Sequence, residues 1–320
     1  MDGHLSAMTS GRVKRSKLVA QIALAALASG CLCCCAFSKT AQSPISRAVT
    51  SNSTGDSAAS DPARVVLLEE GFRKLYELNF SGARAEFRSY QDAQPQDPVG
   101  KAAEAASYLY EQFNAKGVFT SAFFLNDSKF LGGVDGSASQ NRNIDFLSAN
   151  DDARKMAKEQ LKSNPQDPRA LMALTLADGM ESDYDALIVK KQMAALGLMR
   201  QAESDASKLL AVDPSAQDAY VALGASNYII GCLPGFKRAF LFFGGIHGDR
   251  VRGMDQMQVA ADHGRYLRPF AKILLALACE REHDMGRARK LLTELTNEFP
   301  ANPLFARELD LLDQRAVGGQ

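Results

Sequence analysis

Small and apolar residues recur along this chain at a helical interval. Four times an alanine stands twelve residues before a proline, with another small or apolar side chain four residues after the alanine. The sets are Ala83, Phe87, Pro95; Ala153, Ala157, Pro165; Ala202, Ala206, Pro214; and Ala288, Leu292, Pro300. Residues four apart lie one turn apart on one helix face, and a proline, which lacks an amide hydrogen, ends the helix. Each set predicts a proline-terminated helix with a small residue where a neighbour crosses closely. A second series marks the partner helices. Gly71 and Ala276 lie 24 residues before Pro95 and Pro300, while Ala105 and Gly224 lie ten after Pro95 and Pro214. No segment shows the two-residue alternation of a half-buried strand, so the predicted class is all-α.

The predicted boundaries carry their own chemistry. In Gln94–Pro98 and Asn164–Pro168 one helix stops and the next begins, with Asp97 and Asp167 as N-caps and Pro98 and Pro168 in the first turn. Gly264 is expected to replace the proline in the fourth unit as a left-handed C-cap. Asn302 is expected to cap a last helix from Pro303 to about Arg315.

A fixed interval repeated over most of a chain marks stacked repeats, and this one resembles the tetratricopeptide repeat (TPR), a helix-turn-helix of about 34 residues. Tyr220-Val-Ala-Leu223-Gly224 and Phe80-x-x-Ala83-x-x-x-Phe87 read like the first and second helices of that family. An irregular helical bundle is the competing reading, but such bundles rarely keep one interval four times. The resemblance implies a TPR-like right-handed helical solenoid of about five units: 64–97, 98–167, 168–216, 217–266 and 267–302, with the whole repeat domain at 64–315 and a tail at 316–320. The terminal prolines are 70, 49 and 86 residues apart, which leaves 36, 15 and 18 after whole repeats are subtracted. These extra residues predict insertions at Ala115–Asn150, about Asp183–Leu198 and about Ile230–Arg250. The stretches Gly179–Leu187, Asp218–Pro234 and Arg265–Ala271 also resemble uncharacterised bacterial exported TPR proteins.

The N-terminus reads as a targeting segment and stands outside the fold argument. Arg12, Lys14, Arg15 and Lys17 precede Leu18–Phe37, an apolar run interrupted only by Gln21, Ser29 and Gly30. Residues 1–37 are therefore a signal peptide or membrane anchor. Leu27-Ala28-Ser29-Gly30-Cys31 resembles a bacterial lipobox, which implies lipidation of Cys31, although alanine stands where leucine is usual three before the cysteine. An uncleaved span and an ordinary cleavage site near Ala36-Phe37-Ser38 remain alternatives. Residues 38–63, rich in Ser, Thr, Ala and Asp, read as a disordered linker. The expected location is the cell envelope, membrane-anchored and facing the periplasm or exterior.

Charge narrows the partners. Lys plus Arg equal Asp plus Glu at 37 each, and no domain-scale basic face is implied, which argues against nucleic acid. Chemistry is sparse. Beyond His4 there are His247, His263 and His283, with no metalloprotease helix, CxxC pair or nucleophile elbow. His247-Gly248-Asp249-Arg250 reads as a helix start, although it could hold a ligand. His263 and His283 read as helix-end residues. Beyond the four cysteines of the leader only Cys232 and Cys279 remain, as free thiols or as an oxidised pair. No metal, cofactor or catalytic residue is expected.

The insertions are the best candidates for function. Tyr228–Ile246 packs Phe236, Phe240, Phe242 and Phe243 into eight positions around Pro234, Gly235, Lys237 and Arg238. These interruptions rule out a membrane span. Either the segment folds back onto the repeats, or it forms an apolar wall for a ligand, peptide or membrane surface. Phe119–Phe124 with Phe130–Gly133 has the same aromatic and glycine character, and the third insertion is expected to lengthen its helices. In the TPR family first-helix side chains line a concave binding surface. By register the resemblance assigns that role to Tyr76, Tyr110, Arg169, Met172, Asn227, Tyr228, Phe270, Glu280 and Arg281. The expected function is a non-catalytic scaffold binding a protein or peptide at the bacterial envelope. The alternative is a ligand-binding accessory of an envelope transport system that uses the aromatic insertions as a pocket.

Overall fold

The structure, a computed structural model, describes residues 62–134, 140–243 and 245–318. The leader with Cys31, the linker to residue 61, and residues 135–139 of the polar second-insertion stretch lie outside the described residues. Among the described residues there is no strand, and no helix is long and apolar enough to cross a membrane. They belong to one compact unit, Ala58–Gln320.

The helices follow in the order α1 (Pro62–Tyr76), α2 (Phe80–Ala93), α3 (Pro98–Ala115), α4 (Ser121–Phe124), α5 (Asp127–Gly132), α6 (Gln140–Ser163), α7 (Pro168–Tyr184), α8 (Gln192–Val212), α9 (Tyr220–Cys232), α10 (Gly235–Phe243), α11 (Arg250–His263), α12 (Arg268–Arg281), α13 (Met285–Glu298) and α14 (Pro303–Gly318). They pack as helical hairpins α1–α2, α3–α6, α7–α8, α9–α11 and α12–α13, with α14 against α13. Residue contacts within a hairpin run in opposite senses: Gly224 meets Met257 while Tyr228 meets Gly253. Arg154 reaches Asp178 while Asn150 reaches Glu181, which ties α6 to the next hairpin.

The crossing points are where the sequence placed small residues. Ala83, Ala153 and Ala288 are fully buried and Ala202 nearly so. At Gly71 an added Cβ would lie 2.3 Å from the Phe87 ring, and at Gly224 it would lie 2.8 Å from the Gly253 carbonyl oxygen. Both helix pairs therefore approach too closely for any side chain. The caps also form: the Asp97 carboxylate accepts from the Val99 amide (2.9 Å), that of Asp167 from Arg169 and Ala170 (2.9 and 3.0 Å), and the Asn302 amide oxygen from Leu304 (2.9 Å).

Gly264 differs from expectation. Its φ is −61° and ψ 149°, extended rather than left-handed. Glycine is needed there for space, since a Cβ would lie 2.6 Å from both the Ala260 carbonyl oxygen and an Asp218 carboxylate oxygen. Asp218 reaches across to accept the amides of Tyr266 (3.0 Å) and Leu267 (2.9 Å), capping the start of α12 from a neighbouring hairpin.

The insertions take three forms. The second-unit insertion folds as α4 and α5, and the Val134 amide donates to the Leu187 carbonyl (2.9 Å). The third lengthens its helices, α7 ending in a π turn at Asp185–Val189 and a left-handed Lys190 (φ 63°) before α8. The fourth contains α10, whose Arg238 donates back to the Gly231 carbonyl of α9 (3.3 Å). Of the segment Tyr228–Ile246, Tyr228, Ile230 and Gly231 are buried in the body, while Phe236, Ala239 and Phe242 of α10 are exposed.

Candidate functional site

One end of the expected first-helix lining lies at a seam between the two ends of the unit. Tyr76, on α1, donates through its hydroxyl to the Tyr266 carbonyl (3.0 Å), and the Asn302 side-chain amide donates to the Tyr76 carbonyl (2.8 Å). Phe72 stacks on Tyr266 with ring centroids 5.3 Å apart, and Tyr76 packs on Phe299 at 5.7 Å. The first and last hairpins therefore touch across about two hundred residues of sequence.

The nine residues assigned to partner binding all make contacts within the unit, Tyr76 at this seam and the others between neighbouring elements. Tyr76, Tyr110, Met172, Tyr228 and Glu280 are buried, and Arg169, Asn227, Phe270 and Arg281 are partly so. Tyr110 packs on Phe270 (5.3 Å) and Phe119 (5.2 Å). Burial lifts its phenol well above the ordinary value, with the charges of Tyr76 and Asp183 adding to the effect. Arg169 binds the Asp97 carboxylate (2.6 Å) and donates to the Tyr90 hydroxyl (3.0 Å), joining the first three hairpins. Glu280, 2 % exposed, pairs with Arg315 of α14 at 2.5 Å. Tyr228 donates to Glu282 (3.2 Å), and Asn227 to Gln256 (2.9 Å). Arg281 donates to the Phe124 carbonyl (2.9 Å), pairs with Asp127 and lies 4.8 Å over the Phe130 ring. These side chains hold the unit together. Not all of the nine are expected to be exposed, since insertions can cover some; five are buried and four are half-buried, Arg281 against the α4–α5 insertion.

Accessible ground lies elsewhere. Between the α4–α5 insertion and the capping helix α14 there is an open cleft of about 770 Å³, lined by Ser121, Leu125, Asn126, Leu311, Gln314 and Arg315. Ser121 is held by Glu308, whose carboxylate, 3 % exposed, accepts from the Ser121 amide (3.0 Å) and hydroxyl (2.7 Å). Leu125 and Leu311 are exposed on the cleft walls. A second void, at the seam among Tyr76, Tyr110, Phe119 and Phe305, holds about 20 Å³, room for a single water. Sequence reasoning missed the cleft, because a contact 187 residues long between Ser121 and Glu308 leaves no local signature.

The titratable groups are set by burial. Asp183, near the end of α7, is half-buried, and loss of water raises its carboxyl to about 7. Cys232 and Cys279 are free thiols; burial pushes Cys279 up to about 11 and raises Cys232 too, so both stay protonated at neutral pH. His247 lies edge-on to Phe242 at 4.8 Å, and Asp249 caps α11 by accepting the Arg252 amide (3.1 Å). His263 lies in the last turn of α11, and His283 follows α12 with a left-handed backbone (φ 63°). Among the described residues no three His, Cys, Asp or Glu side chains gather in a way that could hold a metal ion.

Comparison with protein-family models, curated proteins and solved structures finds no match to this chain.

Proposed function

We propose that residues 64–315 form a TPR-type array of five right-handed-stacked hairpins whose work is binding a protein or peptide at the bacterial envelope, without catalysis. The single observation that carries this reading is the open cleft between the second-unit insertion and α14. Its polar side chains and two exposed leucines suit an extended or amphipathic peptide segment, with Asn126 and Gln314 to meet main-chain groups. The repeat register supports the family reading, since the recurring alanines sit at the helix crossings.

The alternative, an enclosed ligand pocket between aromatic insertions, has less support. Phe119 and Phe123 are packed into the body, while Phe236 is 74 % exposed on a different insertion. Neither cavity described above is lined by both insertions.

The test is photo-crosslinking of the full chain in intact envelopes, with benzoylphenylalanine at Leu311 and, as a control, at Ile144, which is exposed on α6. A discrete adduct to one protein at Leu311, absent at Ile144 and lost on Leu125→Glu, is expected. The same adducts at both positions would sink the cleft as the binding surface. Turnover of a small substrate that disappears in His247→Ala would overturn the non-catalytic reading.

A further inference from the structure

The fourth insertion exposes one side of α10, at Phe236, Ala239 and Phe242. Its neck is pinched where the chain leaves α9 and re-enters α11: a Cβ on Gly248 would lie 2.5 Å from the Gly231 nitrogen, and one on Gly231 would lie 2.8 Å from the Arg250 nitrogen. Only glycine at both positions lets the two sides of the neck touch. Beyond the neck, α10 is fixed at both ends. Arg238 donates back to the Gly231 carbonyl (3.3 Å), and the far end closes with the Ile246 amide on the Leu241 carbonyl (2.9 Å) around a left-handed Gly245 (φ 74°).

What this rigid loop presents is apolar. Phe236, Ala239 and Phe242 follow at three-residue intervals along one side of α10 and are all exposed, Phe236 to 74 % and Phe242 to 59 %. Val251, at the mouth of the neck, is 70 % exposed. A space-filling role would bury these side chains in the body, and instead they face outward. The charge around the stripe has one sign. From Ala219 to Gly248 there is no Asp or Glu, while Lys237 and Arg238 lie within α10. The next carboxylate in sequence, Asp249, caps α11, and Glu282 pairs with Arg250 (3.0 Å).

We propose that α10 is a membrane-contact element that inserts the Phe236–Ala239–Phe242 stripe into the interfacial region of an anionic lipid surface. An aromatic stripe on a short helix whose only charges are basic matches the chemistry of headgroup and acyl boundary. The sequence supplies the second reason to choose lipid as the occupant. Leu18–Phe37 is a twenty-residue apolar run preceded by four basic residues, and Pro62 of α1 follows it by 25 positions. That much chain reaches at most about 90 Å even fully extended, so a segment seated in a bilayer confines the repeats to its vicinity. The inference rests on the membrane-attachment part of the proposed function and is independent of what fills the cleft.

The chain contains no Trp, so Phe236→Trp installs a single fluorescent reporter in the stripe. Met193→Trp, at a position 71 % exposed on α8, reports on an unrelated surface. Each full-length variant is reconstituted into vesicles of phosphatidylethanolamine and phosphatidylglycerol, with or without bromine on the acyl chains. The expected result is a blue-shifted indole at position 236 that loses most of its emission to the brominated lipid, while the indole at position 193 is unaffected. Replacing phosphatidylglycerol by phosphatidylcholine, or adding Arg238→Glu, should each weaken the quenching several-fold. A chain that floats with the vesicles while the stripe reporter stays water-exposed overturns the proposal and leaves N-terminal attachment standing. A blue shift without bromolipid quenching means that protein covers the stripe, and equal quenching of the α8 reporter means that contact is unspecific; either result also overturns it.

Discussion

Replacing Asp183 by asparagine should stabilise the protein, by an amount that grows from about pH 4 and levels off above about pH 7. The carboxyl sits near the end of α7 close enough to Tyr110 for its charge to act on the phenol, and its proton-binding value is lifted from 3.8 to about 7 by burial alone. The folded state holds its proton more tightly than the unfolded chain. Between about pH 4 and pH 7 the unfolded state ionises while the folded state does not, so stability falls through that window and is then flat. The gap between 3.8 and about 7 corresponds to about 4 kcal/mol at pH 8. This is a ceiling, because the side chain is only half-buried by accessible surface even though protein encloses it more widely. A gain of roughly 1–3 kcal/mol at pH 8 is expected for Asp183→Asn, which retains the shape and removes the charge. Thermal unfolding of the full chain in detergent, followed by far-ultraviolet circular dichroism at pH 4.5 and pH 8, reads the effect. A variant no more stable than the parent at pH 8, or one that gains equally at both values, would refute the argument.

Three further outcomes follow from the packing and the leader. Gly224→Ala puts a methyl group 2.8 Å from the backbone of α11 and should cost about 1–3 kcal/mol, whereas Gly197→Ala, with nothing within 4 Å, should gain up to about 1 kcal/mol in midpoint measurements by urea. Asn302→Ala removes both the bond to the Tyr76 carbonyl and the cap of α14, so a loss of about 2 kcal/mol is expected. Hydrogen exchange should quicken at the end of α1 as well as in α14, and a change confined to α14 would show that the seam does not depend on Asn302. Palmitate should label the full chain and fail to label Cys31→Ser; membrane association kept without any labelling would favour an uncleaved Leu18–Phe37 span.

The helices were legible because local rules determine them. Ala83, Ala153, Ala202 and Ala288 are buried where the spacing put them, and Asp97, Asp167 and Asn302 cap the helices they were expected to cap. Gly264 was found as a boundary for the wrong reason, since its need for space comes from Asp218, which lies 46 positions away in sequence. The inner-face residues were placed on the correct helices, but periodicity reports only that a face is covered. It does not report whether another helix or solvent covers it, and here Tyr266, Phe299 and Asn302 return to α1. The cleft beside Glu308 was invisible for the same reason. For α10 the aromatic clustering was plain, but its exposure depends on the glycine neck, whose two sides meet only after α9 and α11 have paired.

The stitched ends change how such an array should come apart. In an open stack of repeats each unit touches only its neighbours, so terminal units fray and folding can begin anywhere and spread. Here α1 cannot complete its contacts until Tyr266, Phe299 and Asn302 have been synthesised, more than two hundred residues after its own last turn in the case of Phe299 and Asn302. Contacts of that sequence separation slow folding, because the intervening chain must be ordered before they form. They also remove both loose ends at once. The folded unit should therefore melt in one cooperative step rather than hairpin by hairpin, and a ribosome-bound chain that stops short of Tyr266 should leave the faces of Phe72 and Tyr76 that meet Tyr266 and Phe299 open to chaperones.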